Sequence, residues 1–251
     1  MDLDVEWIAV RLDYIKELPV SFRAIAFPDP SQSTSFEPSE KILLVLLHGW
    51  GANAEDVAAM APYLRLSENP SALHMLFPDA PFRHPMPGGR MWYDLPVDYT
   101  FGGRPKGAQQ DDLITSRTML MEWLQGLEDQ TGIPLSRTIL AGFSQGGAMT
   151  LDVGPRLPLA GLMILSGYLH DDLRESARPL PPILLVHGLQ DPVVPIAAAR
   201  QTRDRLTALG AQLDYHELNM GHDIPLTVLE LMQTFIGSLL VSLGKTGGKV
   251  L

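Results

Sequence analysis

The chain contains no cysteine, which excludes disulfides, thiolate metal sites and a cysteine nucleophile together. It also lacks any clustered run of Lys or Arg. Nineteen basic residues stand against 29 acidic ones, and the net charge of -10 argues against a nucleic-acid groove or a basic membrane-facing surface. No run of about 18 consecutive apolar residues is evident. The opening Met1-Asp2-Leu3-Asp4-Val5-Glu6 is acidic where a secretory leader would be basic, so a cytoplasmic location is expected. Histidines at the spacing of H-E-x-x-H are missing, and neither a metal nor another cofactor is expected. What is present is ordinary for a soluble enzyme-sized unit: 251 residues, 45% hydrophobic, predict a single domain over 1–251 with a large core.

Two extended stretches, Trp7 to Tyr14 and Val20 to Phe27, read as an antiparallel hairpin at a sheet edge, followed by an exposed polar loop from Pro28 to Ser35. From Ile42 onward strands alternate with helices. Ile42 to Leu47 is apolar without alternation, the pattern of a parallel strand buried on both faces. Asn53 and Asp56 can cap the helix that follows, with Pro62 shortening it. Further strands are predicted at Leu73 to Phe77, Thr138 to Ala141, Leu162 to Leu165, Ile183 to Val186 and Gln212 to Leu218. Leu113, Arg117, Leu120, Leu124 and Leu127 form one helical stripe; Ala197 to Leu209 and Thr227 to Leu243 are later helices, and residues 244–251 form a flexible tail. Right-handed crossovers then give a mostly parallel sheet with helices on both faces, an α/β class, with the ligand site at the carboxyl ends of the strands. Residues 82–110 form a long Pro- and Gly-rich segment that also carries Trp92, Tyr93, Tyr99 and Phe101, and read as a cover over an apolar site.

The chemistry centres on Gly142-Phe143-Ser144-Gln145-Gly146, where a strand turns sharply into a helix. A serine hydroxyl is a poor nucleophile, and such a turn exposes it to a base while a helix N-terminus faces the developing oxyanion. Asp191, in a loop stiffened by Pro192 and Pro195, and His222, between the last strand and the last helix, complete the order Ser, Asp, His, each after its own strand. Each position alone is as consistent with a solvated loop residue; the three together point to nucleophilic catalysis. His48 and His187 also lie at strand ends before a glycine and are assigned to shaping their loops by hydrogen bonds. A metal site built from His48, His187 and His222 has no local ligand spacing to support it. His216 and His74 lie inside strands, and His84 and His170 in loops without a role.

His48-Gly49-Trp50-Gly51, Phe77-Pro78-Asp79-Ala80-Pro81, Trp92-Tyr93-Asp94, Gly142 to Gly147, Leu165-Ser166-Gly167-Tyr168, Asp191-Pro192-Val193-Val194-Pro195 and Gly221-His222 together resemble the phospholipase/carboxylesterase family of α/β-hydrolases, which includes acyl-protein thioesterases and small bacterial carboxylesterases. The likeness runs in order from about Ile42 to Leu243. It implies an α/β-hydrolase fold with Ser144 as nucleophile, His222 as base and then acid, and Asp191 as the partner of the imidazole. It further implies an oxyanion hole from the backbone N–H groups of Trp50 and Gln145, and substrate contacts from Trp50, Trp92, Tyr168 and Val193. Members acting on long acyl chains commonly have leucine where this chain has Trp50, so a bulky indole there is expected to shorten the groove. The implied activity is cleavage of carboxylic esters, thioesters or lysophospholipids. Lactone or peptide cleavage on the same scaffold, a non-catalytic binding protein, and a homodimer are alternatives the sequence leaves open.

Overall fold

The computed structural model describes residues 24–27, 41–64, 66, 72–95, 99, 101, 111–170, 173 and 179–246. In chain order the strands are β1 (Ala24–Phe27), β2 (Ile42–Leu47), β3 (Leu73–Pro78), β4 (Phe82–Arg83), β5 (Arg90–Met91), β6 (Thr138–Phe143), β7 (Gly161–Leu165), β8 (Ile183–Gly188) and β9 (Leu213–Leu218). The helices are α1 (Ala54–Ala58), α2 (Asp111–Gln125), α3 (Leu127–Thr131), α4 (Gln145–Val153), α5 (Ile196–Ala208) and α6 (Leu226–Thr246). Seven strands form one sheet in the order β1-β3-β2-β6-β7-β8-β9, and β4 pairs with β5 in a separate ribbon. All neighbours in the large sheet from β3 to β9 run parallel; β1 lies antiparallel on β3, with Ala24 opposite Pro78. β1 falls within the second arm of the expected hairpin, whereas the first arm, Trp7 to Tyr14, and the loop from Pro28 to Ser35 lie outside the described residues.

The unbroken apolar run of β2 follows from burial on both sides. Leu43, Val45 and Leu47 point into a core shared with Leu120, Trp123 and Leu124 of α2 and Met149 of α4. Ile42, Leu44 and Leu46 point the other way, toward Val57 of α1 and Val228, Met232 and Ile236 of α6. Alternation along an extended backbone thus feeds two helical layers, and neither face of the strand can be polar. α1 starts where expected: Asn53 accepts from the Asp56 backbone N–H at 3.2 Å, and Asp56 accepts from that of Asn53 at 2.9 Å.

Three expectations need correction. The α2 stripe breaks at Gly126, and α3 begins anew at Leu127. Arg117 leaves the apolar stripe through its guanidinium, which forks onto Asp152 of α4 at 2.9 and 2.7 Å. α6 continues through Gly244 to Thr246, so the first residues assigned to a tail are helical. Its segment Leu226–Gly244 is long and apolar enough to cross a bilayer by length and composition, but it is no unbroken apolar run, being interrupted by Thr227, Glu230, Gln233 and Thr234. Six of its side chains, from Val228 to Leu239, pack in the core, which accounts for the apolar content.

Asp152 anchors a buried polar chain behind the sheet edge. His170 Nδ1 stands 3.6 Å from its carboxylate, His170 Nε2 is hydrogen-bonded to Tyr93 Oη, and Tyr93 Oη to Tyr168 Oη at 2.7 Å. Burial alone would push the Asp152 carboxyl up; the neighbouring His170 ring and the Arg117 guanidinium outweigh it and hold it well below the usual carboxylate range. Burial, reinforced by Tyr168, pushes the Tyr93 hydroxyl well above its usual value, so it stays a neutral donor. This chain fastens the segment after β5 to α2 and α4.

Arg117→Met, which removes the fork from a largely buried carboxylate, is expected to cost about 3 kcal/mol in denaturant unfolding. Because the folded Asp152 binds protons less readily than the unfolded one, its contribution is complete above about pH 4 and is lost as the pH falls below that value. An acid titration of stability should therefore be shallower below pH 4 in Asp152→Asn than in wild type. Two glycines should respond in opposite directions. A Cβ at Gly146 would lie 2.4 Å from Leu47 O, so Gly146→Ala should lose at least about 2 kcal/mol, whereas Gly237 in α6 has open space around it and Gly237→Ala should gain about 0.5 to 1 kcal/mol. Equal responses in paired melts would contradict both assignments.

Candidate active site

β6 delivers Ser144 to the carboxyl edge of the sheet, and Gln145 opens α4 immediately after it. Ser144 is held at φ 54 and ψ -116, a backbone conformation that costs a non-glycine residue about 1–3 kcal/mol. Its N–H donates to Leu165 O at 2.8 Å, and its carbonyl accepts from Ala148 N–H at 3.0 Å. The turn closes only because the backbone at Gly142 and Gly146 is bare. A Cβ on Gly142 would meet Gly146 O at 2.1 Å, and one on Gly146 would meet the carbonyls of Leu47 and His48 at the end of β2.

Asp191 and His222 come from the loops after β8 and β9. His222 Nδ1 and Asp191 Oδ2 are 2.7 Å apart, and the Asp191 side chain is fully buried. The second oxygen, Oδ1, accepts from the Val193 and Val194 backbone N–H groups at 2.8 Å each. Since the carboxylate can only accept, Nδ1 carries the proton and Nε2 is free to act as a base. The His222 ring packs 4.7 Å from that of Phe143, next to the nucleophile candidate in sequence, so the three expected residues share one end of the sheet. Ser144 Oγ has no hydrogen-bond partner among the described residues.

The first loop of the sheet edge is braced by His48, whose Nδ1 lies 2.7 Å from Gly49 O and whose Nε2 accepts from Ala80 N–H at 2.9 Å. Burial pushes this ring below the usual imidazole range, partly offset by the Gly49 carbonyl, and it is neutral with both nitrogens engaged. Neither nitrogen is left for a metal. Trp50 follows; its side chain is 44% exposed and rests edge-on against His84, with ring centroids 4.0 Å apart. The backbone N–H groups of Trp50 and Gln145 have no acceptor among the described residues, and Gln145 sits at a helix start where none is available within the helix.

The expected substrate contacts divide. Val193 is 51% exposed and Trp50 also faces outward, whereas Tyr168 is buried beneath Tyr99 and Phe101. Trp92 is fully buried, and its indole N–H donates to His48 O at 3.0 Å. It braces the Trp92–Tyr93 segment from within, its ring 5.7 Å from that of His48. Sequence reasoning missed the Gln145 side chain. Its Oε1 accepts from Trp92 N–H at 2.9 Å and its Nε2 donates to Tyr93 O at 2.7 Å, so the residue after Ser144 clamps the Trp92–Tyr93 backbone. The signal was a buried amide beside a bend rich in aromatics. Phe82 to Leu95 of the cover are described, but most of the remainder to residue 110 is not.

This arrangement of strands and loops has relatives. The family profile described as Phospholipase/Carboxylesterase matches residues 34–240. Lysophospholipase-like protein 1 of Mus musculus is 29% identical over 208 residues, covering 77% of this chain and 84% of its own. Acyl-protein thioesterase 1 of Neurospora crassa is 29% identical over 211 residues, with the same coverages. Among solved structures, esterase PE8 superposes with a TM-score of 0.71 at 32% identity, covering 79% of this chain and 93% of its own. The Bacillus cereus carboxylesterase shares the fold at 18% identity, with a TM-score of 0.70 over 87% of this chain and 94% of its own. By the span of the family match and by its fold, the chain belongs to the phospholipase/carboxylesterase family of α/β-hydrolases.

Proposed function

We propose that the chain hydrolyses carboxylic esters, thioesters included, through an acyl-enzyme formed on Ser144. The observation that carries this reading is the 2.7 Å contact of His222 Nδ1 with the buried Asp191 carboxylate, beside a serine held on a strained strand-to-helix turn. In the reaction, His222 Nε2 takes the Ser144 Oγ proton as Oγ attacks the acyl carbon. The Trp50 and Gln145 N–H groups receive the oxyanion. The tetrahedral adduct collapses, the C–O or C–S bond to the leaving group breaks, and the imidazolium returns its proton to the departing alcohol or thiol. Water, deprotonated by the same Nε2, then attacks the acyl-enzyme; the adduct collapses with cleavage of the acyl C–Oγ bond, the imidazolium returns its proton to Ser144 Oγ, and the acid is released. In unliganded sites the serine–histidine bond is often loose and tightens with substrate, in keeping with the unpartnered Oγ.

Asp191 accepts from Nδ1–H of His222 and so fixes its tautomer. Large apolar side chains are exposed on the loops that carry these residues: Trp50 after β2, and Leu189 and Val193 on the Asp191 loop. Together with the absence of a basic cluster, they favour an acyl group of hydrocarbon character over a strongly anionic one. The names of the relatives, a lysophospholipase-like protein and acyl-protein thioesterases, agree with that class. A single domain over 1–251 and a homodimer belong to this reading as expectations.

Rates on p-nitrophenyl esters from acetyl to palmitoyl, with a matched acyl thioester, test it. Ser144→Ala should lower kcat by at least about a thousandfold, and Asp191→Asn by about ten-thousandfold. Background rates for wild type on every substrate, or a Ser144→Ala variant that keeps its activity, would overturn the mechanism. Trp50→Ala retains the backbone N–H, so activity on the acetyl ester should persist while the chain-length maximum moves to longer acyl groups; an unmoved maximum would remove the indole from the groove.

A further inference from the structure

Among the described histidines, His187 is the second whose ring approaches the Asp191 carboxylate, and the mechanism above gives it nothing to do. It is the penultimate residue of β8 and fully buried, with Nε2 at 2.8 Å from Val194 O and 3.4 Å from Asp191 Oδ2, the same oxygen that accepts from His222. The contacts close a ring. Asp191 Oδ1 holds the Val193 and Val194 amides, the Val194 carbonyl accepts from His187, and His187 returns to Asp191.

We propose that His187 is a positioning residue: an imidazole that holds the Asp191 loop through Val194 O and, by keeping its Nε2–H dipole 3.4 Å from Asp191 Oδ2, sets how strongly that carboxylate supports His222 as a base. The inference rests on the triad reading. The Nε2–H donates to Val194 O, and Asp191 Oδ2 lies 3.4 Å from the same nitrogen, close enough to feel the N–H dipole without taking the hydrogen bond. A protonated His187 would bury an Nδ1–H for which the described residues offer no acceptor. Burial pushes the ring below the usual imidazole range, with the Val194 carbonyl and Asp191 pulling the other way. The titratable groups acting on His187 are Asp191 beside it, His222 from the loop after β9, and Glu217 in register on β9; His222 additionally has the exposed Asp223 as its chain neighbour.

The next residue fixes the other side. A Cβ on Gly188 would lie 2.3 Å from Gly221 O, immediately before His222. Leu189 N–H donates to Leu218 O at 2.8 Å and Gln190 N–H to Met220 O at 3.1 Å. The end of β8 therefore seats both loops, the aspartate through the His187 ring and the histidine through the bare Gly188 backbone.

Removing the His187 N–H dipole from beside Asp191 Oδ2 strengthens the pull of that carboxylate on the His222 Nδ1–H, which favours imidazolium. In His187→Phe, kcat/KM for a short ester should fall about tenfold to a hundredfold with KM little changed. The acid limb of its pH profile, which reports the free-enzyme base, should move up by about half a pH unit. His187→Gln restores an N–H on a side chain that does not titrate, and should return the limb to its wild-type position. An unmoved limb in a folded Phe variant, or a Gln variant as impaired as Phe, would overturn the proposal. If the Phe variant does not fold, the Gln variant decides: a wild-type limb with activity within about fivefold supports the donor role, and a larger loss counts against it. Imidazole nitrogen NMR titration of His222 in the same proteins reads the shift without turnover. An inactive wild type that still shows the NMR shift refutes the triad reading alone; an active wild type silenced by Ser144→Ala, with no shift in His187→Phe, refutes this inference alone.

Discussion

The approach of bare backbone to bare backbone at Gly146 is the constraint on which the site depends. α4 can begin directly behind β6 only if its first turn slides against the carbonyls of Leu47 and His48, and that approach keeps Ser144 at a positive φ. Strain of this kind persists only where the surroundings over-determine it. Here they do. The Ser144 amide is tied to β7, its carbonyl to α4, and Gly142 behind it is pressed onto the Gly146 carbonyl. The same approach brings the end of β2 beside the α4 N-terminus.

From that contact, order spreads through polar atoms that have few alternatives. Gln145 uses both ends of its amide on the Trp92–Tyr93 backbone; Trp92 returns a hydrogen bond to His48 O; His48 passes one to Gly49 and takes one from Ala80. Each partner is buried, where an unmade bond costs about 1–3 kcal/mol, so the set is cooperative: one loop cannot relax without stranding a donor in the next. Two buried histidines, His48 and His187, serve this purpose as fixed neutral connectors, while the partly exposed His222 keeps an unencumbered Nε2. Exposure separates the scaffold imidazoles from the one assigned to proton transfer.

Much of this was legible in the residues. Unbroken apolar runs such as Ile42 to Leu47 predicted strands buried on both faces, and the three candidate residues after separate strands predicted a common edge, which the pairing of β6, β8 and β9 in one sheet explains. The cap at Asn53 and the loop-shaping roles of His48 and His187 also follow from local pattern. What escaped was non-local. Nothing near Trp92 says that its indole is spent on His48 O, because that bond spans the sheet edge between distant segments. Nor does the Arg117 stripe reveal that the guanidinium will leave it for Asp152, since a long aliphatic stem lets one residue serve both an apolar face and an ion pair. Buried polar partners are chosen by tertiary proximity, and single-sequence periodicity carries no term for it.

The two sides of the site are therefore built on different physics. On the scaffold side every position is set by paired donors and acceptors or by backbone clearance below 3 Å, and a transition state gains most from dipoles that need not reorganise. On the open side Trp50, Met86, Leu189 and Val193 present largely apolar side chains to solvent. Apolar contact is non-directional, so such a rim can seat acyl groups of different shape without disturbing the carbonyl carbon. A site divided in this way holds the reaction constant while leaving the acyl group to vary, which is the division expected when substrates share an ester bond and differ in what is attached to it.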